Sequence, residues 1–331
     1  MSSTNPPPSS DLLSWKEAGL RYHAYNHFLR QRFGARVQKV SIDAGFTCPN
    51  VDGTVAKGGC VFCDNRSFSP SRRVPRQLVT DQIDEGVRRL KLRYKCDQFL
   101  AYFQPATNTY APVERLRPLY EQALAHPQVV GMAIGTRPDC VPNDVLDLLE
   151  EIAGKTWLSV EYGLQTIHNR SLDWMNRGHH HDAFLDAMER SRDRGFEICA
   201  HVMLGLPGES PDDMLATAHE VARLGLDSVK LHNLYAVKNT PLADQIASGE
   251  TVLMERDDYI QVLVDFLELL PPEMIVERIS GEAPPKYFIG PEWCLDKPAV
   301  KRELDAEMLR RDTWQGKKYL APAVSSAILP A

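Results

Sequence analysis

Three cysteines, Cys48, Cys60 and Cys63, fall within one sixteen-residue loop that also holds Gly53, Gly58 and Gly59. Thiolates are the preferred ligands of zinc and of iron-sulfur clusters, and their number separates the uses. A closed zinc site or an electron-transfer cluster wants four protein ligands, whereas three thiolates on a 4Fe-4S cluster leave one iron open to another molecule. An open iron is a place for chemistry. The glycines allow the positive φ and close backbone approach that wrapping such a group requires. Phe62, one residue before the last cysteine, can shield it from water. On spacing alone two other readings stay open. One is a zinc-stabilised binding protein with a fourth ligand such as Cys96 or a histidine from elsewhere. The other is a noncatalytic iron-sulfur redox or sensor protein.

The elements that must hold this loop can be read from hydrophobic periodicity. Short apolar runs at 37–42, 99–103, 129–134, 157–162, 198–204 and 228–234 predict strands, and helical patterns at 78–94, 113–125, 143–152, 181–194 and 211–224 lie between them. Six strand-then-helix units in succession predict a parallel sheet with crossover helices. Six are too few for a closed eight-unit barrel, so the expected fold is α/β, an open three-quarter TIM-type barrel with its working face at the strand C-termini. The cysteine loop follows strand one. Gln104, the 135–139 segment that includes Thr136, Gln165 and the Gly205 to Gly208 turn follow the next four strands. Lys230 and His232 alternate inward near the end of strand six, where they either line a substrate chamber or, for Lys230, form a barrel-end ion pair.

The expected organisation is a disordered tail at 1–14, an N-terminal helix at 15–35, a core at 36–240, a C-terminal extension at 241–319 and a flexible tail at 320–331. Within the extension, 255–269 and 299–311 read as helices and 275–279 as a further short strand. With 331 residues and 43% hydrophobic content the chain can bury one sizeable core. No run of about 18 apolar residues occurs and the N-terminus lacks a secretory pattern, so a cytoplasmic location without a membrane partner is expected. Seven unevenly spaced cysteines fit free thiols and a metal site better than a disulfide framework.

Net charge is −6 but unevenly spread, with +9 over residues 16–95 against −14 over 96–331. The basic block includes Arg72, Arg73 and Arg76 just after the cysteine loop, and it predicts an anionic substrate, a nucleic acid or an acidic redox partner on that side. Consecutive histidines 179–181 point in different directions from a helix start and predict no shared metal.

The cysteine run, with eleven residues between its first two cysteines, resembles the cluster loop of the YhcC-like radical S-adenosylmethionine (SAM) family, a relative of the radical SAM core of the Elongator catalytic subunit. The segments 160–166 and 177–179 resemble that core's fourth strand and following turn. The resemblance implies a 4Fe-4S cluster on Cys48, Cys60 and Cys63, SAM as cosubstrate, and Phe62 beside its adenine. It further implies Gln165 on the ribose and Arg177 on the methionyl carboxylate, with Gln104 and Thr136 among the cofactor-binding strand ends. Two departures stand out. Relatives carry a glutamate at the position of Gly135 for the methionyl amino group, and Glu161 is the expected substitute; His201 stands where a relative has an acid near the ribose. A radical SAM enzyme implies hydrogen abstraction from an RNA, nucleotide or small anionic metabolite, and a low-potential electron donor such as flavodoxin or ferredoxin.

Overall fold

In the computed structural model, residues 13–73, 75 and 77–321 are described; most of both expected tails, and Arg76, lie outside these residues. Among the described residues nine strands occur in chain order: β1 (Val37–Ile42), β2 (Gln98–Phe103), β3 (Val129–Thr136), β4 (Trp157–Gln165), β5 (Glu197–Leu204), β6 (Ser228–Asn233), β7 (Ala236–Val237), β8 (Ile275–Arg278) and β9 (Phe288–Gly290). Seven of them form one parallel sheet in the order β1-β2-β3-β4-β5-β6-β8, and β7 pairs antiparallel with β9. The principal helices are α1 (Tyr25–Phe33), α2 (Val79–Tyr94), α3 (Val113–Leu124), α4 (Asn143–Ala153), α5 (His181–Ser191), α6 (Pro211–Arg223), α7 (Arg256–Leu269) and α8 (Lys297–Arg310).

The sequence pattern explains this architecture. Strand β4 is buried over eight of its nine residues, as expected of a parallel strand covered on both faces. The amphipathic crossover helices bury Ile83, Leu116, Leu149, Phe184 and Val221 against the sheet in one continuous core. Helix α6 starts with a reciprocal capping box between Ser210 and Asp213 and Pro211 in its first turn. Where α2 crosses β1 the approach is so close that a Cβ on Gly86 would lie 2.4 Å from Val40 Cγ1.

The sheet curls until long side chains reach across the gap between its two edges. Lys39 on the first strand donates to Glu277 on the last at 2.7 Å, although β1 and β8 are opposite ends of the strand order. The open three-quarter barrel is therefore observed, with the 275–279 run supplying a seventh strand beyond the six expected units. Thus part of the expected C-terminal extension belongs to the main sheet. The N-terminal helix needs correction: instead of one helix, the chain makes a short turn at Ser14–Glu17, passes Gly19 at φ +73, and resumes at α1. Between them, Ala24 bridges to Val276 and the His23 carbonyl accepts from the Val276 amide at 2.8 Å. This break lets the segment pair with the edge strand, while α1 packs against both β1 and β8 across the seam. All seven cysteines are free thiols. No described helix is long and apolar enough to cross a membrane.

Candidate active site at the strand C-termini

Because all seven strands run parallel, their C-termini share one end of the sheet, and the cysteine loop leaves β1 there. Cys48 precedes a single helical turn, Pro49–Asp52, which Gly53 ends at φ +90. The Cys63 amide donates to the Cys60 carbonyl at 2.9 Å, folding the C-x-x-C pair into a turn. Burial raises the Cys63 thiol pKa, and the nearby Cys60 and Cys48 raise it further, so these three sulfurs share one neighbourhood. Among the described residues no three His, Cys, Asp or Glu side chains are grouped to hold a metal ion. A single ion draws its donors to one point about 2.3 Å away. A cluster takes its thiolates on separate irons and asks instead for sulfurs that stand apart around it.

A second turn, 175–179, is stitched onto this loop. Asn50 Nδ2 donates to the carbonyls of Asn176 (2.6 Å) and Arg177 (2.8 Å) and faces Cys60 Sγ at 3.5 Å. Asn176 Nδ2 donates back to the carbonyls of Lys57 (2.9 Å) and Gly59 (2.8 Å), and the Val61 amide donates to Met175 O at 3.0 Å. Arg137, paired bidentately with Asp139, adds a bond from Nη1 to the Arg177 carbonyl at 2.8 Å. These bonds fix where Arg177 points. Its guanidinium donates through Nη2 to Gly163 O (3.0 Å) and through Nε to His179 Nε2 (3.0 Å), and Nη1 lies 3.7 Å from Cys60 Sγ. Burial, with the Arg177 charge, lowers the His179 pKa to about 3, so the ring is neutral and accepts that bond.

Gly163 makes the arrangement sterically possible. A Cβ there would stand 2.4 Å from Arg177 Nη2 and 2.9 Å from Gln165 Nε2. A bulge between Gly163 and Gln165, with Gln165 at φ +70, re-aims the glutamine side chain at the strand end. Its amide makes no side-chain hydrogen bond among the described residues, and it stands beside Arg177. Phe62 packs at the edge of a small apolar cluster built on Leu172, Met175, Met203 and Leu206. Gln104 Nε2 donates to Ser41 Oγ at 3.0 Å. Thr136 is turned the other way, its hydroxyl 2.6 Å from that of Thr109.

Below this level the lumen carries a buried charge network. Lys39 donates to Glu161 (2.9 Å) and Glu277 (2.7 Å); Lys230 is paired with Glu161 and stands 3.4 Å from Glu277. His201 Nε2 meets Glu161 at 3.0 Å. Burial alone would raise the Glu161 pKa, but Lys230, Lys39 and His201 outweigh it and hold the carboxyl well below the ordinary range. The sheet register sets Glu161 directly opposite Gly135. Its side chain nevertheless has no exposed surface, and both oxygens are taken by these cations and His201. The same network commits Lys230. His232 differs: its ring lies 5.3 Å from that of His201, and its buried Nε2 has no partner. Histidines 179, 180 and 181 diverge toward Arg177, Asp173 and Glu220.

Sequence reasoning missed Asn50 and Asn176, which position the site, and placed Arg137 at the active face within the 135–139 segment without giving it a role. Asn176 carried a signal, being a residue tolerant of positive φ directly before Arg177 and Gly178. The partners of Glu161 carried another: a lysine or glutamate inside a buried strand must be paired, which marks Lys39, Glu161, Lys230 and Glu277 as a set. Of the basic rim, Arg72 is committed to Asp43 (2.8 Å) and the Phe46 carbonyl (2.6 Å) and ties the loop to the end of β1.

Residues 53–221 match the radical SAM superfamily model, and residues 226–310 match the radical SAM C-terminal domain. The chain is 42% identical to the YtqA protein of Bacillus subtilis (strain 168) over 311 residues, 93% of this chain and 96% of that one. It is 38% identical to YhcC of Escherichia coli (strain K12), covering 84% and 89%. A more distant likeness, 27% over 169 residues, is to the tRNA uridine(34) acetyltransferase of Methanocaldococcus jannaschii, covering 50% of this chain and 30% of that protein. Among solved structures, the archaeal Methanocaldococcus infernus Elp3 aligns with a TM-score of 0.65 at 17% identity, over 84% of this chain and 64% of that one.

Proposed function

Since the chain belongs to the radical SAM superfamily, in its YtqA and YhcC branch, and is a radical SAM enzyme, we propose that Cys48, Cys60 and Cys63 hold its 4Fe-4S cluster and that its substrate is a nucleotide within an RNA. When bound, the cluster and SAM together supply a 5′-deoxyadenosyl radical able to abstract hydrogen from an unactivated carbon. The observation that carries this reading is the stitched pair of turns: one carries the three cysteines on a single loop, and the other sets a buried guanidinium 3.7 Å from the sulfur of Cys60.

The fit is chemical as well as spatial. Arg177 places positive charge, and Asn50 an N–H donor, against Cys60 Sγ, contacts that suit the negative charge of a metal-bound sulfur. Arg177 has donor capacity left on Nη1 for a carboxylate, and Gln165 offers both a donor and an acceptor to a diol. Phe62, beside the apolar cluster, offers a ring face for a purine. Glu161 balances Lys39 and Lys230, which makes it a floor of the chamber, and the partnerless Nε2 of His232 is a lumen group free to meet a substrate. Protein surroundings of this kind position the reactants and exclude water.

An RNA substrate is supported by the likeness to a tRNA uridine(34) acetyltransferase and by the basic block after the cysteine loop. A flavodoxin or ferredoxin fits as electron donor. The test is nucleoside analysis of total RNA from a deletion strain, complemented with the parent or with Cys60→Ala. One modified nucleoside should disappear, or be replaced by a precursor, and only the parent should restore it. Unaltered RNA with an accumulating small anion would move the reading to a metabolite enzyme. Anaerobic reconstitution should give about four irons per chain, lost in Cys48→Ala, Cys60→Ala and Cys63→Ala but kept when Cys96, Cys199 or Cys294 is replaced.

A further inference from the structure

We propose that a cavity of about 340 Å³ beside the cysteine loop binds an anionic group of the substrate, a phosphate or a carboxylate, through Arg278 and Arg73. One wall, Ser67 and Arg73, belongs to the segment that continues from Cys63. The other is Arg278 at the C-terminal end of β8 with the turn at 282–285.

The charges leave room for an anion. Lys39, Lys230, Glu161 and Glu277 form a balanced set. A slip in the β6 to β8 register then places Arg278 directly opposite Lys230, an arrangement of like charges that is unfavourable without compensation. Arg278 itself has no hydrogen bond or ion pair among the described residues, although it is only partly exposed. Glu282, the acid in the cavity wall, is paired with Lys297 at 2.7 Å. Arg73 is held in place by the carbonyls of Arg66 (2.8 Å, through Nε) and Ser67 (2.9 Å, through Nη2) and by the Tyr287 ring. Among the described residues these two bonds use two of its five N–H donors. The pairing of β7 with β9 and the bond from the Lys238 amide to Tyr287 O hold that ring beside Arg73.

Position links the cavity to the chemistry. Ser67 of the cavity wall donates through its hydroxyl to the carbonyl of Asp64, the residue after Cys63, at 2.7 Å. A cavity of this size suits one nucleotide or a small acid. This inference rests on the reading of the chain as an enzyme that binds its substrate beside the cysteine loop, but not on that substrate being RNA.

The test is calorimetry of the anaerobically reconstituted full chain with inorganic phosphate, with acetate and with neutral acetamide, at constant ionic strength. Saturable binding of phosphate or of acetate, absent for acetamide, is expected, and whichever binds identifies the group. Arg278→Ala and Arg73→Ala should each weaken it about tenfold or more, as expected for a lost charge-assisted bond. Arg278→Lys, which keeps the charge and the packing, should stay within about threefold of the parent. The proposal is overturned if the parent binds neither anion, or if both alanine variants bind as the parent does. Unaltered RNA in a deletion strain would remove the RNA reading and leave this titration untouched.

Discussion

Arg177 shows how one side chain can be placed by residues that never touch a ligand. Its backbone carbonyl is clamped by Asn50 and Arg137, and its guanidinium fits only because position 163 has no side chain. Gly163→Ala should therefore act at a distance from the fold's own stability. The clashing atoms are side-chain ends, and the added methyl group is small, so the melting temperature should fall by only a few degrees. The guanidinium, however, must move off the Gly163 carbonyl, and calorimetric affinity for SAM should drop about tenfold. Parental affinity in a folded Gly163→Ala protein would show that Arg177 does not hold the cosubstrate. The cysteines at 48, 60 and 63 stand out in the sequence by type and spacing, whereas Gln165 and Arg177 are singled out only by the resemblance of the segments that carry them. Asn50 is marked by neither, since its role is to satisfy two carbonyls that become neighbours only in the fold.

At the scale of elements, each main strand of the sheet was legible because parallel strands buried on both faces read as continuous apolar runs, and the crossover helices as amphipathic ones. What periodicity could not see was the break at Gly19 and the pairing of Ala24 with Val276. Tyr22, Tyr25, Phe28 and Leu29 keep helical spacing whether or not the helix is continuous, and the edge strand that captures the break lies some 250 residues away in sequence. The β7 and β9 pair was hidden for a similar reason: two or three residues are too few to show alternation. Helix-to-strand contact offers the sharpest test here. Gly86 of α2 is pressed against Val40 of β1, where a Cβ would meet a β-branched side chain at 2.4 Å. Val40 has little rotamer freedom to yield, so Gly86→Ala should destabilise by about 1–3 kcal/mol despite alanine's better helix propensity. Urea unfolding measures it, and a stabilised variant would mean that α2 shifts freely on the sheet.

The whole molecule is closed by charge. A sheet of seven strands leaves a seam between β1 and β8, and across it Lys39 reaches Glu277 while Lys230 and Glu161 complete the set from β6 and β4. Such a set is costly to bury and more costly to break, because removing one member strands its partners in the lumen. For both glutamates burial raises the pKa, yet Lys230 and Lys39 outweigh it and leave the folded values depressed. The sign of the pH dependence follows. A carboxyl with a depressed folded pKa contributes stability that is fully present above the unfolded value of about 4.3 and is lost as pH falls through the folded value. Glu161→Gln should thus lower stability at pH 7 by about 3–5 kcal/mol, and its loss of stability between pH 6 and pH 3 should be shallower than the parent's. The double variant Glu161→Gln with Lys230→Met removes the stranded cation as well and should recover part of the difference, since an uncharged pair of similar size avoids the desolvation cost. Unfolding curves at several pH values for the three proteins decide the matter. Identical acid limbs in parent and Glu161→Gln would mean that the network is carried by Glu277 alone, and that the two edges of the sheet are held together by the packing of α1 across the seam.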